Sequence, residues 1–192
     1  QVLYGRGENQ MQELVQEFCQ GKRCFYYYAP EISAKAQKHR MGQEIAEHYQ
    51  IVLQEESYHN YFKRIKSGDA SKLVLVIEEF QHILKKDEEF AESIFDLHGK
   101  KLYPGPVLIL LCSTDIPWVE QEMPKALGTG IKKISGKRKI EELNFFVAAT
   151  QYFPGYTFQQ KVEVYGILGG NPEFGGYGNI DETTVHRTWT EM

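Results

Sequence analysis

Lys72-Leu73-Val74-Leu75-Val76-Ile77-Glu78-Glu79-Phe80 is the stretch on which the fold turns. Five apolar residues in a row stop abruptly at two carboxylates. A continuous run with two valines and an isoleucine reads as a strand buried on both faces. Two acids at its carboxyl end stand where open α/β sheets hold their ligands. In phosphate-handling folds an acid there holds Mg²⁺ and another group orients the attacking water. The same pair also suits the acidic first turn of a helix, where it complements the helix dipole.

Downstream, Val107-Leu108-Ile109-Leu110-Leu111-Cys112 is a second apolar run. Between the two lie a helix through Phe80, Ile83 and Leu84, another over about Glu88–His98, and the break Pro104-Gly105-Pro106. So long a helical connection excludes a hairpin and implies a parallel pair joined by a right-handed crossover. Upstream, Val2-Leu3-Tyr4 reads as a strand, turning at Gly5-Arg6-Gly7 into a helix over Met11–Cys19 with Met11, Leu14, Val15 and Phe18 on one face. Gly21 stops that helix, and Arg23–Ala29 reads as a strand. Helices follow over Ser33–Tyr49 and His59–Ile65, the latter anchored by Tyr61, Phe62 and Ile65. Beyond Trp118, Ile131–Ile134 reads as one more strand, and Glu141–Tyr152 and Phe158–Ile167 as helices. The pattern β-α-β-α-β-α-β specifies an α/β fold with a parallel sheet.

The 192 residues suit one domain, and 42% hydrophobic with 25% charged residues suits an ordinary core. A net charge of −4 argues against a domain built mainly to hold nucleic acid. Lys132-Lys133 and Lys137-Arg138-Lys139 form a basic cluster, read first as a solvated loop and second as a phosphate or nucleic-acid contact. Cys19, Cys24 and Cys112 do not make a disulfide framework, so a reducing, cytoplasmic setting is expected. Cys112, in an apolar run, reads as an inert buried thiol. No apolar segment reaches the roughly 20 residues that span a bilayer, and no membrane partner is expected. The six histidines show no metal-ligand spacing. Ser113 lacks the Gly-x-Ser-x-Gly elbow of a nucleophile. A start at Gln1 and an end in Thr183–Thr190 resembling a nascent helix suggest a fragment of a longer protein.

Four phrases, in order, carry a family resemblance: Leu3-Tyr4-Gly5-Arg6, Val76-Ile77-Glu78-Glu79-Phe80-Gln81, Leu110-Leu111-Cys112-Ser113-Thr114, and Val164-Tyr165-Gly166-Ile167-Leu168-Gly169-Gly170-Asn171-Pro172. Together they resemble the prokaryotic AAA-type P-loop ATPases known as archaeal ATPases. The resemblance implies a three-layer αβα P-loop NTPase core over residues 1–127. A linker with the last strand would cover 128–139, and a helical segment over 140–192 would lead toward a winged-helix and C-terminal region absent here. It implies ATP and Mg²⁺ as cofactors, with Gly5, Arg6, Gly7, Gln10, Met11 and Gln12 on the nucleotide phosphates. Glu78 would hold the metal, Glu79 would activate water, and Ser113 would act as the polar sensor.

The departure from that pattern is informative. A P-loop reads Gly-x-x-x-x-Gly-Lys-Ser/Thr, and counting from Gly5 the diagnostic positions hold Gln10, Met11 and Gln12. The lysine is replaced by a thioether and the metal-binding hydroxyl by an amide. Losing two contacts to charged groups costs roughly 3–6 kcal/mol, a hundredfold to ten-thousandfold in affinity. Glu78 also stands in place of the family's aspartate. The expectation is a non-hydrolysing ATPase-like domain that binds ATP weakly and serves as a protein-interaction or regulatory scaffold through its missing C-terminal region. The alternative is an active switch ATPase with an atypical phosphate loop, associated with nucleic acid.

Overall fold

A computed structural model describes residues 1–6, 8–53, 55–65, 72–98 and 105–170 (for 8–10 and 98, the backbone only). The chain runs β1 (Val2–Tyr4), α1 (Glu8–Cys19), β2 (Cys24–Tyr28), α2 (Ala34–Tyr49), α3 (Tyr58–Arg64), β3 (Leu73–Glu78), α4 (Gln81–Leu84), α5 (Glu88–His98) and β4 (Val107–Ser113). A π-helical turn over Trp118–Glu122, α6 (Met123–Leu127) and a 3-10 turn over Gly128–Lys133 lead to β5 (Lys137–Lys139), α7 (Phe145–Gln151) and α8 (Phe158–Leu168).

The five strands are parallel, in the order β2-β3-β4-β1-β5. The connection from β1 to β2 runs toward one edge, and those from β2 to β3 and from β3 to β4 run toward the other. If each crossover is right-handed, α1 must lie on the opposite face from α2–α5. The packing agrees. Val74, Val76, Leu110 and Cys112 form one core cluster with Met11 and Val15 of α1. Leu73, Leu75, Ile77 and Leu111 point to the other face and pack with Met41, Ile45, Tyr61, Phe62, Phe90 and Ile94. The period-two alternation of β3 thus divides its apolar run between two cores, and all six of its residues are buried.

Local chemistry fixes the helix ends. Ser33 and Ser57 cap α2 and α3 through their hydroxyls, Asn144 caps α7, and Thr157 with Gln160 makes a capping box on α8. Gly169 ends α8 at φ 67°. No described helix is long and apolar enough to cross a membrane.

Three expectations need correction. Ile131–Ile134 is not a strand: Ile131 lies in the 3-10 turn and Ile134 caps it, and the fifth strand is Lys137–Lys139. The face assigned to α1 is split, with Met11 and Val15 buried while Leu14 and Phe18 are exposed. A single sheet face contacts only a narrow stripe of a helix, and the i, i+4 pair Met11/Val15 supplies it. Finally, α7 begins at Phe145 rather than Glu141. The segments Asn171-Pro172 and Thr183–Thr190 lie outside the described residues.

Candidate functional site

The site expected from the sequence lies at the carboxyl end of the sheet, where β1, β3 and β4 finish side by side. Gly5 follows β1, and its N–H donates to the Ser113 carbonyl at 3.2 Å. On the other side the Tyr4 carbonyl accepts from the Ile140 N–H at 2.7 Å. A Cβ at Gly5 would stand 2.6 Å from the Ile140 carbonyl oxygen. This glycine is therefore required by the close passage of the chain that follows β5. Arg6 projects into solvent with its guanidinium 3.4 Å from Glu142. Gly7 and the side chain of Gln10 lie outside the described residues.

Met11 faces inward from α1. It is 1% exposed and packs with Val15, Val74, Val76, Leu110 and Cys112. One residue on, Gln12 turns its amide toward the end of β3. Its Nε2 donates to the Tyr26 hydroxyl at 3.2 Å and lies 3.5 Å from Glu78 Oε2. Tyr26, Val74, Val76 and Glu78 share one sheet face because alternate strand residues do. That shared face brings α1 and Glu78 together.

Glu78 closes β3 between Tyr28 of β2 and Cys112 of β4, and is buried. Its neighbour Glu79 leaves the strand at φ 53°, in the left-handed region that favours glycine. That turn sends the two adjacent carboxylates to different partners. Glu79 Oε1 accepts the Thr114 N–H at 3.0 Å, and Oε2 accepts the Thr114 hydroxyl at 2.9 Å and the Gln81 amide at 2.5 Å. Hydrogen bonds to an ionised acceptor are the strong kind, and they offset the cost of burying this carboxylate.

Ser113 is fully buried and its hydroxyl accepts the Asp115 N–H at 3.1 Å. Asp115 in turn accepts from the Trp118 N–H at 3.1 Å and pairs with Lys85 at 2.9 Å. Burial pushes the Cys112 thiol up to about 12, with the charges of Glu78 and Glu79 adding to the effect. Cys112 is buried, as expected.

The fold thus joins Gly5 with Ser113, Gln12 with Glu78, and Glu79 with Thr114. Arg6 pairs instead with Glu142, beyond β5. The basic cluster is split: Lys137-Arg138-Lys139 pairs with β1, where Lys137 lies over the Tyr4 ring at 5.6 Å and Lys139 is 3.7 Å from Glu120, while Lys132 and Lys133 lie in the 3-10 turn, with Lys133 over the Phe95 ring. Reasoning from the sequence missed Tyr26, Thr114, Gln81 and Asp115 as members of this network. For Thr114 the signal was its position directly beyond the end of β4, and for Gln81 its place at the start of the helix that follows β3. Tyr26, within an aromatic strand, carried none. Among the described residues, no group of three or more His, Cys, Asp or Glu is placed to share a metal ion.

No family model matches the chain, and no curated protein matches it. Solved structures do match. The ORC2 protein of Aeropyrum pernix, solved as ADPNP-ADP complexes, aligns at a TM-score of 0.59 and 13% identity, over 99% of this chain and 61% of that one. The ORC1 protein of the same organism, solved in complex with DNA, aligns at 0.55 and 11% identity, over 99% and 58%. At such identities the likeness is one of fold, and the chain spans about three fifths of the length of those proteins. The chain shares their fold: α/β, a three-layer αβα core around a parallel five-stranded sheet with the AAA-like P-loop NTPase topology, followed by a short helical segment. The narrower resemblance to archaeal ATPases has no matching family model behind it.

Proposed function

We propose that this chain is an AAA-like domain that does not hydrolyse nucleotide and acts as a protein-interaction or regulatory scaffold in a prokaryotic cytoplasm. The observation that carries this reading is the use made of the two diagnostic loop positions. Met11 is a core side chain, and Gln12 spends its amide on Tyr26 and Glu78. Phosphoryl transfer depends on positive charge and Mg²⁺ placed against the phosphates. A buried thioether supplies neither. A Mg²⁺ ion at Glu78 needs further oxygen ligands, whereas Gln12 turns N–H groups toward that carboxylate, so the pair as arranged does not fit the ion. Glu79, proposed for water activation, already accepts three hydrogen bonds.

The N–H groups at the start of α1 leave room for weak anion binding, for which Gly5, Arg6, Gly7 and Gln10 are the proposed contacts. Ser113, proposed as the sensor, holds the Asp115 turn. Protein contacts would form at the exposed apolar side chains, Leu14 and Phe18 on α1 and Phe146 and Phe158 on the α7–α8 hairpin. Residues 1–127, 128–139 and 140–192 are proposed as core, linker and helical segment.

The test is calorimetry and steady-state hydrolysis on the full chain with ATP, with and without Mg²⁺. The expected result is no turnover and at best weak binding. Restoring Gln10→Gly, Met11→Lys and Gln12→Thr together should raise Mg-ATP affinity about a hundredfold or more. Low-micromolar Mg-ATP binding by the parent chain, or turnover lost in Glu79→Gln, would reverse the reading in favour of an active switch ATPase.

One observation favours a second reading, contact with nucleic acid: Lys137, Arg138 and Lys139 are exposed along the whole of β5. Duplex binding that weakens steeply with salt and is lost on neutralising these three residues would support it.

A further inference from the structure

Cys19 is the last residue of α1 and Cys24 the first of β2. The four residues between them make a tight reversal. The Lys22 N–H returns to the Cys19 carbonyl at 3.0 Å, and Gly21 takes φ 68°. The reversal brings the two Sγ atoms to 2.8 Å. A disulfide bond is about 2.05 Å, so closing it needs a displacement under about 1 Å. Both thiols are half-buried, within reach of small reagents, while Cys112 is buried.

We propose that Cys19 and Cys24 are a reversible disulfide site, closed by a small disulfide oxidant of the glutathione class. The inference does not rest on the nucleotide reading. Burial, and then the hydrogen bond with Cys19, push the Cys24 thiol up to about 12, so Cys24 is the sulfur that reacts second. The Cys19 thiolate attacks one sulfur of oxidised glutathione. The glutathione S–S bond breaks, a mixed disulfide forms on Cys19, and one glutathione leaves as thiolate. Cys24 then gives its proton to solvent as its sulfur attacks Cys19 Sγ. The mixed disulfide breaks, the Cys19–Cys24 bond forms, and the second glutathione leaves. Two electrons pass from the pair to glutathione, and one oxidised glutathione becomes two reduced molecules.

The closed bond ties the carboxyl end of α1 to the start of an edge strand. Cys19 and Cys24 both border the core cluster that holds Met11. The oxidised form therefore restrains the helix that carries Met11 and Gln12. The attacking thiol acts from 2.8 Å, so the intramolecular step should outrun capture of Cys24 by a second glutathione.

The full chain is equilibrated with oxidised glutathione, quenched with acid, and read by thiol titration, intact mass and peptide mapping. The expected result is a fall from three titratable thiols to one, a mass loss of two hydrogens, and a peptide linking Cys19 to Cys24. Reduced glutathione should reverse it, and amide exchange in the last turn of α1 should slow in the oxidised form. Cys24→Ser should instead retain one glutathione on Cys19, Cys19→Ser should stay largely unmodified because burial holds the Cys24 thiol up, and Cys112→Ser should close the bond as the parent does. The parent's own mapping decides the matter even if a variant fails to fold. Three unreacted thiols, two separate glutathione adducts, or a bond to Cys112 would overturn the proposal.

Discussion

Thr114 meets the Glu79 carboxylate twice, through its backbone N–H at 3.0 Å and its hydroxyl at 2.9 Å. The first residue after β4 thereby holds the first residue after β3, across the line where the two strands end. Thr114→Val keeps the shape and the N–H but removes the hydroxyl. A hydrogen bond to a buried charge is worth about 1.5–3 kcal/mol. Urea unfolding should show a loss of that size. In a Glu79→Gly background, where neither the carboxylate nor the φ 53° strain remains, the same change should cost little. Equal losses in both backgrounds would show that the pair is not coupled.

Met11 is expected to behave as a core residue. Met11→Ala should destabilise by roughly 2–5 kcal/mol, and Met11→Leu by less than about 1.5 kcal/mol. Thermal and urea unfolding distinguish these from a residue engaged with solvent or ligand, whose removal would leave stability near that of the parent.

Gly5→Ala should be damaging for a reason unrelated to phosphate. Its Cβ would meet the Ile140 carbonyl at 2.6 Å, and that oxygen belongs to backbone already bonded to β1. The expected loss is roughly 1–3 kcal/mol. Faster amide exchange at Ile140 and Val2, the residues bridging β1 and β5, should accompany it. Unchanged exchange there would mean the strain is relieved elsewhere.

Stability should depend on acid through Asp115. Burial alone would raise this carboxyl. The Lys85 ammonium at 2.9 Å and the Trp118 N–H outweigh it and hold the carboxyl below the usual range. A carboxyl depressed in the folded state stabilises fully above its unfolded value of about 3.9, and loses that contribution as pH falls through its folded value. Asp115→Asn should therefore be less stable than the parent at about pH 7, and the gap should narrow toward about pH 3. A gap that stays constant would assign the effect to shape rather than charge.

The sheet was readable where burial leaves a mark on composition. Leu73–Ile77 and Val107–Cys112 are continuous apolar runs because both faces of a central parallel strand are covered, and their parallel pairing followed from the helical spacer between them. The fifth strand was unreadable: Lys137-Arg138-Lys139 has no apolar residue, and its place is set by bonds such as Val2 N–H to the Gly136 carbonyl. Ile131 and Ile134 drew the assignment because they are apolar, yet they flank the core from a turn. At the candidate site, the positions of Glu78 and Glu79 followed from the end of β3. Their different partners did not, because they depend on the left-handed turn at Glu79, which a glutamate does not announce. The Cys19–Cys24 contact depends on how one turn closes, and spacing alone does not encode it.

The three cations of β5 have a consequence for how the molecule behaves among its own kind. β5 is a terminal strand of the sheet, and a terminal strand is open to extension by another chain. Two copies meeting there would bring Lys137, Arg138 and Lys139 of each against those of the other. Strands in register lie about 4.8 Å apart, well inside the screening length of about 8 Å at physiological salt. Mutual repulsion should therefore keep this edge from growing into a shared sheet in crowded solution. Concentrated salt should weaken that safeguard before it disturbs the core.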